Sequence, residues 1–474
     1  MENNGRYWYS IFIDSISFNL QEKIMQMKWA ALCIAAVMYV LAVAFRSRRV
    51  YFSTLAAFII ILLGMIFPGE LFVLPKDILA MDDMTGMRLY AFAYSIGTAV
   101  QWNLLMIYTG VMILTALLVY SKVPEKLSSL LLGTVRIPAL SMVLVFISAG
   151  LLSAFIGAFP ALVVMAPVVV SFSRQLKFNP AFFLLSVAAV CSLEGSAFYF
   201  ASPASFLFSE FSGMALFHFF IVSGKVSLFF IAQAALLAGA LFFGLYFSRT
   251  VKGEFFVARV RIVSLVPVLL LALTVAVLIA CSMTPIRFIY VSGFAVLIIA
   301  IFGLAWFYLF QKKTIAEFFD FLKNLDWNTV FYMIGIFIVA GALKKSGVFD
   351  DLAGIIVSHC GTSRLRIFVI VFVVSVFAGA FLDIVPYLIL LMPVIGIVSN
   401  SYGFSGNILA AAMVAGSCIG TGFTPFTSLT MQSALSVLKK ENCEIKLLDW
   451  VKNVLPAAVI MAAVYAVLLW FLWK

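Results

Sequence analysis

Long apolar runs separated by short polar loops make up most of this chain. Of its 474 residues, 65% are apolar and only 11% are charged, and the mean hydropathy is +1.16. Several runs approach or exceed the roughly 18 residues that a helix needs to cross a bilayer core. The alternation of apolar and polar residues that marks an outer-membrane barrel is absent. We therefore predict an all-α polytopic protein of the cell (inner or plasma) membrane.

The apolar runs are of two kinds, unbroken and interrupted. The unbroken runs predict membrane-crossing helices at 29–45, 50–67, 102–120, 226–247, 263–281, 288–310 and 454–473, with one more beginning at Trp327. The interrupted runs, which contain proline or clustered glycine and serine, are 137–172, 181–208, 367–398 and 408–438. Residues 1–27 mix charged with aromatic residues, so we expect them to lie flat at the membrane interface.

The interruption at residues 381–386 sets an acid and a proline inside an apolar run. It reads Phe-Leu-Asp-Ile-Val-Pro and contains Asp383 and Pro386, with Pro393 close behind. Proline inside a helix removes a backbone hydrogen bond and kinks or breaks the helix. A carboxylate at membrane depth costs about 3 kcal/mol, so such an acid is a functional candidate. We predict a re-entrant helical hairpin with its tip at this point.

The same pattern occurs once before, at a nearly constant offset in numbering. The matched landmarks are Trp102 and Trp327, Gly110 and Gly335, Pro160 and Pro386, and Pro167 and Pro393. Because the four offsets agree to within a single position, they predict an internal duplication. Five predicted crossings separate the starts of the two copies. Five is odd, so the copies enter the membrane from opposite faces, as inverted-topology repeats do in secondary transporters.

This duplication predicts four parts and one orientation. The parts are 1–101, an N-terminal interfacial segment with two transmembrane helices; 102–247, transport repeat 1; 248–326, linking helices; and 327–474, transport repeat 2. Of the 31 Lys and Arg residues, 19 fall in the loops at 46–49, 121–136, 173–180, 248–262, 311–326 and 439–453. The positive-inside rule assigns that side to the cytoplasm. Both termini and the segment 344–366 then face outward.

Small and hydroxyl residues gather at the interruptions. Broken helices leave backbone groups unpaired, which a membrane tolerates only where they line a cavity or are buried in protein. The candidate substrate-binding residues are Gly157, Ala158, Ser192, Gly195, Ser196, Ser417, Gly420, Thr421, Gly422 and Thr424. The alternative is that these residues only allow helices to pack closely.

Glu194 and Asp383 are the acids within the interrupted elements, and we predict that they couple transport to an ion. If the repeats pack face to face, the two carboxyls approach each other and form a proton or Na⁺ site. In the alternative, Asp383 caps the second arm of its hairpin, and Glu194 accepts hydrogen bonds from neighbouring backbone groups.

The order of these motifs resembles that of the ion transporter superfamily. A Trp-Asn span, a hairpin ending in Met-Ala-Pro or Leu-Met-Pro, and a Gly/Ser-rich broken helix follow one another over residues 102–473. The group includes citrate and dicarboxylate symporters, arsenite permeases and some sodium/proton antiporters, and the stretch 381–386 resembles the Phe-Leu-Asp-Asn-Val-Pro hairpin tip of its permeases. The resemblance implies a scaffold part, a moving transport part and an elevator-like motion.

The hairpin tips depart from one branch of that family. Divalent-anion–sodium symporters have Ser-Asn-Thr at each tip, whereas this chain has Gly-Ala-Phe at 157–159 and Asp-Ile-Val at 383–385. The carboxylate-binding and sodium-binding chemistry of that branch is therefore not expected in the same form.

These observations predict a secondary active transporter. We expect symport or antiport of a small anion, either a di- or tricarboxylate or an inorganic oxyanion or metalloid, coupled to H⁺ or Na⁺. The alternatives are a sodium/proton antiporter and, from another class, a non-transporting membrane scaffold. The sequence shows no nucleophile–base pair of the kind that would indicate an enzyme. We expect no cofactor apart from bound Na⁺, and as partners the lipid bilayer and a second copy of the chain in a homodimer. The net charge of +11 lies in short loops, which argues against nucleic acid.

Overall fold

The computed structural model describes most of the chain. The described residues are 26–45, 48–72, 74–79, 83–132, 137–250, 261–283, 290–360, 363–403, 405–424, 428–441, 443 and 454–473. All candidate site residues fall within these ranges. The predicted interfacial segment 1–27, apart from its last two residues, and most of the predicted loop 248–262 lie outside the described residues.

The described chain is helical almost throughout. Its α-helices are α1 (Gln26–Ala44), α2 (Arg49–Ile66), α3 (Lys76–Leu79), α4 (Met84–Ala99), α5 (Trp102–Tyr120), α6 (Val123–Leu132), α7 (Pro138–Ile156), α8 (Ala158–Gln175), α9 (Pro180–Leu193), α10 (Pro203–Ser212), α11 (Leu228–Thr250), α12 (Val266–Met283), α13 (Val291–Leu309), α14 (Ile315–Lys323), α15 (Trp327–Lys345), α16 (Val348–Cys360), α17 (Arg364–Phe381), α18 (Ile384–Tyr402), α19 (Gly406–Gly420), α20 (Leu429–Lys440) and α21 (Leu455–Trp473). Two short strands, β1 (Ile221–Val222) and β2 (Lys225–Val226), pair antiparallel.

Eleven helices within the described residues are long and apolar enough to cross a membrane. They are α1, α2, α5, α7, α8, α11, α13, α15, α17, α18 and α21. A helix of 19 residues spans about 28 Å, which is close to the thickness of the hydrocarbon core. The predicted all-α polytopic membrane fold is confirmed. Each arm of the two predicted hairpins is itself as long as a membrane span.

Several short helices were not predicted, because hydropathy alone does not mark them. The long connection predicted at 68–101 contains α3 and α4. Asp83 caps α4, and its carboxylate accepts hydrogen bonds from the amides of Thr85 and Gly86 at 2.9 and 3.0 Å. An acid at this position satisfies the free N–H groups of a first helical turn. An N-capping acid therefore begins a helix in a stretch that was predicted to be a connection.

The helix starts repeat at the offset read from the sequence. The starts of α7, α8, α9 and α10 precede those of α17, α18, α19 and α20 by one constant interval, the same that separates Pro160 from Pro386. The interval is one position shorter from α5 to α15 and one position longer from α11 to α21. Pro160 and Pro386 are the third residues of α8 and α18, where a missing N–H costs little. This order of elements supports the predicted duplication.

The chain divides into two compact units. The first comprises Met1–Gln101 and Trp327–Ser358, and the second Trp102–Asp326 and His359–Lys474. Helix α15, predicted as the start of repeat 2, therefore clusters with the first unit. The second unit contains both predicted hairpins and both interrupted helices.

The matched glycines Gly110 and Gly335 each lie where two helices pack closely, one in each unit. In the first unit α2 packs on α15, and a Cβ at Gly335 would lie 2.8 Å from the carbonyl oxygen of Ser53. In the second unit α5 packs on α13, and a Cβ at Gly110 would lie 3.0 Å from the carbonyl oxygen of Val296. Small residues of this kind let helix backbones approach closely in a membrane.

Contacts within the second unit join loops that we predict to share the cytoplasmic side. The amide of Val263 donates to the carbonyl of Ser121 at 2.9 Å. Arg174 donates to both carboxylate oxygens of Glu441, in each case at 2.8 Å from Nη2. These pairs connect the predicted cytoplasmic loops at 121–136 and 173–180 with residues far along the chain.

Other contacts join segments predicted to share the outer side. In the second unit, Asn103 at the start of α5 accepts a hydrogen bond from Ser292 at the start of α13, at 3.0 Å. In the first unit, Lys28 pairs with Asp351. Both sets of contacts agree with the predicted topology, and the inverted orientation of the repeats stays a prediction.

Candidate functional site

Two interrupted helices of the second unit contain most of the predicted site residues. In repeat 1, α9 ends at Leu193, residues Glu194–Ser196 form one 3-10 turn, and α10 begins at Pro203. In repeat 2, α19 ends at Gly420 and α20 begins at Leu429. The interruptions leave backbone carbonyls without the hydrogen bonds that a continuous helix would supply.

Glu194 lies at the interruption of repeat 1 and has no exposed surface. Its Oε2 accepts a hydrogen bond from the side-chain amide of Gln233 on α11 at 2.8 Å. Its Oε1 has no hydrogen-bond partner among the described residues. A buried carboxylate with a single donor carries uncompensated charge, which is costly in a membrane. A proton or a cation on Oε1 would balance that charge.

Hydroxyl groups near Glu194 satisfy the carbonyls of the interrupted backbone. Ser202 and Ser205 both donate to the carbonyl of Gly195, at 2.6 and 2.7 Å. Ser196 donates to the carbonyl of Leu193 at 3.0 Å. Because buried carbonyls require partners, these serines stabilise the interruption itself.

Three other predicted substrate-binding hydroxyls bond to their own helices. Ser192 donates to a carbonyl four residues earlier, and Ser417 and Thr421 each donate to a carbonyl three residues earlier. A hydroxyl has one proton to donate, so in this conformation these groups face a ligand only with their lone pairs. The packing interpretation accounts for these three hydroxyls.

Each hairpin tip contacts the interruption of its own repeat. Gly157 joins α7 to α8 with φ +90°, and a Cβ there would lie 3.5 Å from the carbonyl oxygen of Ala201. Only glycine adopts that backbone conformation readily, and Ala158 follows it as the first residue of α8. At the second hairpin, Thr424 donates to the carbonyl of Ala380 at 2.5 Å.

Asp383 is the N-cap of α18 and is half-buried. Its Oδ1 accepts a hydrogen bond from the amide of Val385 at 3.2 Å. The capping alternative for this residue therefore has a geometric basis. The hydrogen bonds of Glu194 do not include Asp383, so the two carboxyls do not share a proton directly in this conformation.

The structure brings the interruptions of the two repeats together. A Cβ at Gly195 would lie 3.4 Å from Sγ of Cys418, and a Cβ at Gly422 would lie 3.3 Å from Cβ of Ala189. The glycine- and serine-rich stretches at the ends of α9 and α19 thus form one cluster.

Two residues of this cluster were missed from the sequence. Gln233 donates to Glu194, and the hydroxyl of Tyr465 on α21 lies 3.2 Å from that of Ser196. Each stands well inside an otherwise apolar span, and that isolation was a usable signal. A lone amide or phenol inside a membrane helix needs a hydrogen-bonding partner.

A cleft of about 550 Å³ lies elsewhere in the second unit, between α8 and α20. It is lined mainly by apolar side chains, such as Ala166, Pro167 and Val437, and it includes the Arg174–Glu441 ion pair. None of the predicted site residues lines it. The cleft and the Glu194 cluster are therefore separate features.

Sequence comparisons match both halves of the chain to transport proteins. A family model described as "Citrate transporter" matches residues 286–474. An uncharacterized transporter of Mycobacterium tuberculosis strain H37Rv is 22% identical over 393 residues, which cover 80% of this chain and 87% of that protein. A 46 kDa membrane protein of Mycobacterium leprae is 21% identical over 394 residues, covering 80% and 88%.

Two solved structures share the fold. MtrF of Neisseria gonorrhoeae, whose structure is described as illuminating a class of antimetabolite efflux pumps, matches with a TM-score of 0.54 and 14% identity over 82% of this chain and 85% of its own. The YdaH transporter of Alcanivorax borkumensis matches with a TM-score of 0.55 and 16% identity over 88% and 97%.

Proposed function

We propose that this protein, a multi-pass membrane transporter that resembles the ion transporter superfamily, moves a small anion across the membrane and is driven by an H⁺ or Na⁺ gradient. The substrate class is a di- or tricarboxylate or an inorganic oxyanion or metalloid. The transport part, formed by the hairpins and interrupted helices, moves in an elevator-like manner. Glu194 takes up and releases the coupling ion.

The buried Glu194 carboxyl is the observation on which this proposal rests. It lies at a helix interruption with one oxygen hydrogen-bonded and the other bare. A purely structural acid is expected to have its lone pairs satisfied, because unpaired buried acceptors are costly. An exchangeable ion needs a carboxylate oxygen that no hydrogen-bond donor occupies.

The first turn of α8 is the proposed anion-binding position. Helix N-termini have free N–H groups and a partial positive charge, which favour anions. At the second hairpin the carboxylate of Asp383 bonds to such an amide, whereas Gly157 at the first hairpin supplies no side-chain cap. An anionic group of the substrate would take, near Gly157 and Ala158, the place that Asp383 takes at α18.

Glu194→Gln tests the proposal, because glutamine preserves shape and hydrogen bonding but does not titrate. In proteoliposomes supplied with a panel of carboxylates, arsenite and oxyanions, we expect the variant to retain substrate counter-flow and to lose gradient-driven accumulation. Intact accumulation would remove Glu194 from the coupling mechanism.

Asp383→Asn is the companion variant in the same vesicles. Asparagine also caps helices well, so the protein is expected to fold while its pH or Na⁺ dependence changes. If transport keeps its normal rate and ion dependence, Asp383 is a cap only, and Glu194 remains as the acidic coupling residue.

Sodium/proton antiport is the second candidate function. The bare Oε1 of Glu194 favours it, since a carboxyl that binds H⁺ and Na⁺ in turn needs no anionic substrate. Vesicles without any added anion distinguish the two: Na⁺ movement driven by a pH gradient alone supports antiport.

A further inference from the structure

We infer that Gln233 is a positioning residue for Glu194: it holds the carboxyl through Oε2 and leaves Oε1 as the atom that binds the coupling ion. The inference rests on the proposed coupling role of Glu194. It concerns a residue on α11, outside the hairpins and the interrupted helices.

The geometry gives the two oxygens of Glu194 different surroundings. Nε2 of Gln233 donates to Oε2 at 2.8 Å, while Oε1 is bare. Glu194 belongs to a single 3-10 turn, whereas Gln233 lies within α11, an unbroken helix of 23 residues. A carboxamide does not titrate, so it offers the same donor whether the carboxyl is charged or neutral.

The nearby hydroxyl protons are already committed to other acceptors. Ser202 and Ser205 give theirs to the carbonyl of Gly195, and Ser196 gives its proton to the carbonyl of Leu193. Ser196 also donates to the hydroxyl oxygen of Tyr465, at 3.2 Å. The three serine protons are therefore committed elsewhere, and Oε1 accepts from no described group.

The helices around Glu194 supply little charge. Helices α7, α9, α19 and α21 contain no Asp, Glu, Lys, Arg or His. Their titratable groups near Glu194 are the thiols of Cys191 and Cys418 and the phenol of Tyr465, which ordinarily stay neutral at pH 7. Helix α10 contains Glu210, which interacts with Tyr199, and the titratable residues of α11 lie in its C-terminal part. Among the described side chains, the amide of Gln233 is thus the group that donates to the Glu194 carboxyl.

The test measures the ion dependence of gradient-driven transport for Gln233→Leu, Gln233→Asn and the control Gln175→Leu. The control removes another side-chain amide, which donates to Ser171 at 3.1 Å. Because the Gln233 donor competes with the ion for the carboxylate charge, its loss should lower the half-saturating ion concentration by about 10- to 100-fold. For protons, the midpoint of the pH profile would rise by about 1 to 2 pH units. Gln233→Asn should restore part of the wild-type value, and Gln175→Leu should leave the midpoint unchanged.

The same substitutions in a Glu194→Gln background separate positioning from a structural role. If Gln233 acts through Glu194, Gln233→Leu should add nothing to the loss of coupling in that background. Equal midpoints in Gln233→Leu, Gln175→Leu and wild type would overturn the inference, as would a fall in melting temperature and all activities with no change in ion dependence. Failure of the proposed function is distinct, because Glu194→Gln alone would then still accumulate substrate.

Discussion

Helices α7 and α9 of repeat 1 and helices α17 and α19 of repeat 2 hold equivalent places but pack differently. In repeat 1, Ser153 donates to the carbonyl of Cys191 at 2.6 Å. At the equivalent positions of repeat 2, Gly379 lies against the carbonyl of Ser417, and a Cβ there would overlap that oxygen. One position therefore faces the same carbonyl in both repeats. In repeat 1 the serine hydroxyl keeps the backbones of α7 and α9 apart. In repeat 2 the glycine allows the backbones of α17 and α19 to come into contact.

The spacing decides which repeat has room for a buried acid. Gly420 stands opposite Glu194 in the predicted duplication, and a Cβ at Gly420 would overlap the carbonyl oxygen of Val376. A carboxylate side chain has no space there, whereas the wider pair of repeat 1 accommodates Glu194 without exposed surface. The difference teaches that equivalent elements can differ in packing, so that one is tightly packed and the other has room for a buried carboxyl.

At the hairpin tips, unlike at the helix interruptions, repeat 2 holds the acid. Asp383 caps α18 in repeat 2, while Gly157 leaves α8 without a side-chain cap in repeat 1. Within its hairpin and helix interruption, each repeat thus has one acid, but on a different element. The two acids are therefore not interchangeable, and a variant of one is a poor model for a variant of the other.

The largest effect is expected from cysteine labelling, which tests whether the two repeats have opposite orientations in the membrane. Single cysteines placed in 248–262 and 311–326, in a background without native cysteines, should react with a membrane-impermeant maleimide only from the cytoplasm. Cysteines in 344–366 should react only from outside. The expected difference is all or none, and equal labelling of 311–326 and 344–366 from one side would break the comparison.

A smaller effect is expected from Gly420→Ala. Its Cβ would strike the backbone oxygen of Val376, so the helix pair must separate, at about 1 to 3 kcal/mol of stability. Gly195→Ala is the matched control, because its Cβ would only make ordinary contacts, at 3.4 Å, with Cys418 and Ser202. Thermal unfolding in detergent should show a lower melting temperature for Gly420→Ala than for the control. Similar values would mean that α17 and α19 are not held in close contact at Gly420.

Ser153→Ala should give the smallest effect. It removes the hydrogen bond to Cys191, which is worth about 1 kcal/mol. Ser186→Ala is the control, since its hydroxyl donates only to the carbonyl of Phe182 in its own helix. The melting temperature should fall more for Ser153→Ala. A fall of equal size in both would show that the contact between α7 and α9 contributes no more than a bond within one helix.

Much of the fold followed from local features of the chain. Apolar runs of span length predict helices because the bilayer offers the backbone no other hydrogen-bond partners. Prolines 160 and 386 and the glycine at 157 mark the hairpin tips because they restrict or permit particular backbone angles. These signals act over a few residues, so they could be recognised in the sequence alone. Their repetition at a nearly constant offset could be recognised in the same way.

The detailed site depended on contacts between distant residues. Gln233 reaches Glu194 across 39 positions of sequence, and Tyr465 reaches Ser196 across 269. Hydropathy does not say which helices pack side by side, so the sequence left open whether a serine bonds to a substrate or to a carbonyl. The tertiary structure decided that the serines around Gly195 stabilise the backbone, and that one oxygen of Glu194 stays bare. Burial is a property of the packed helices, and only packing distinguishes a tight glycine contact from a space that holds an acid.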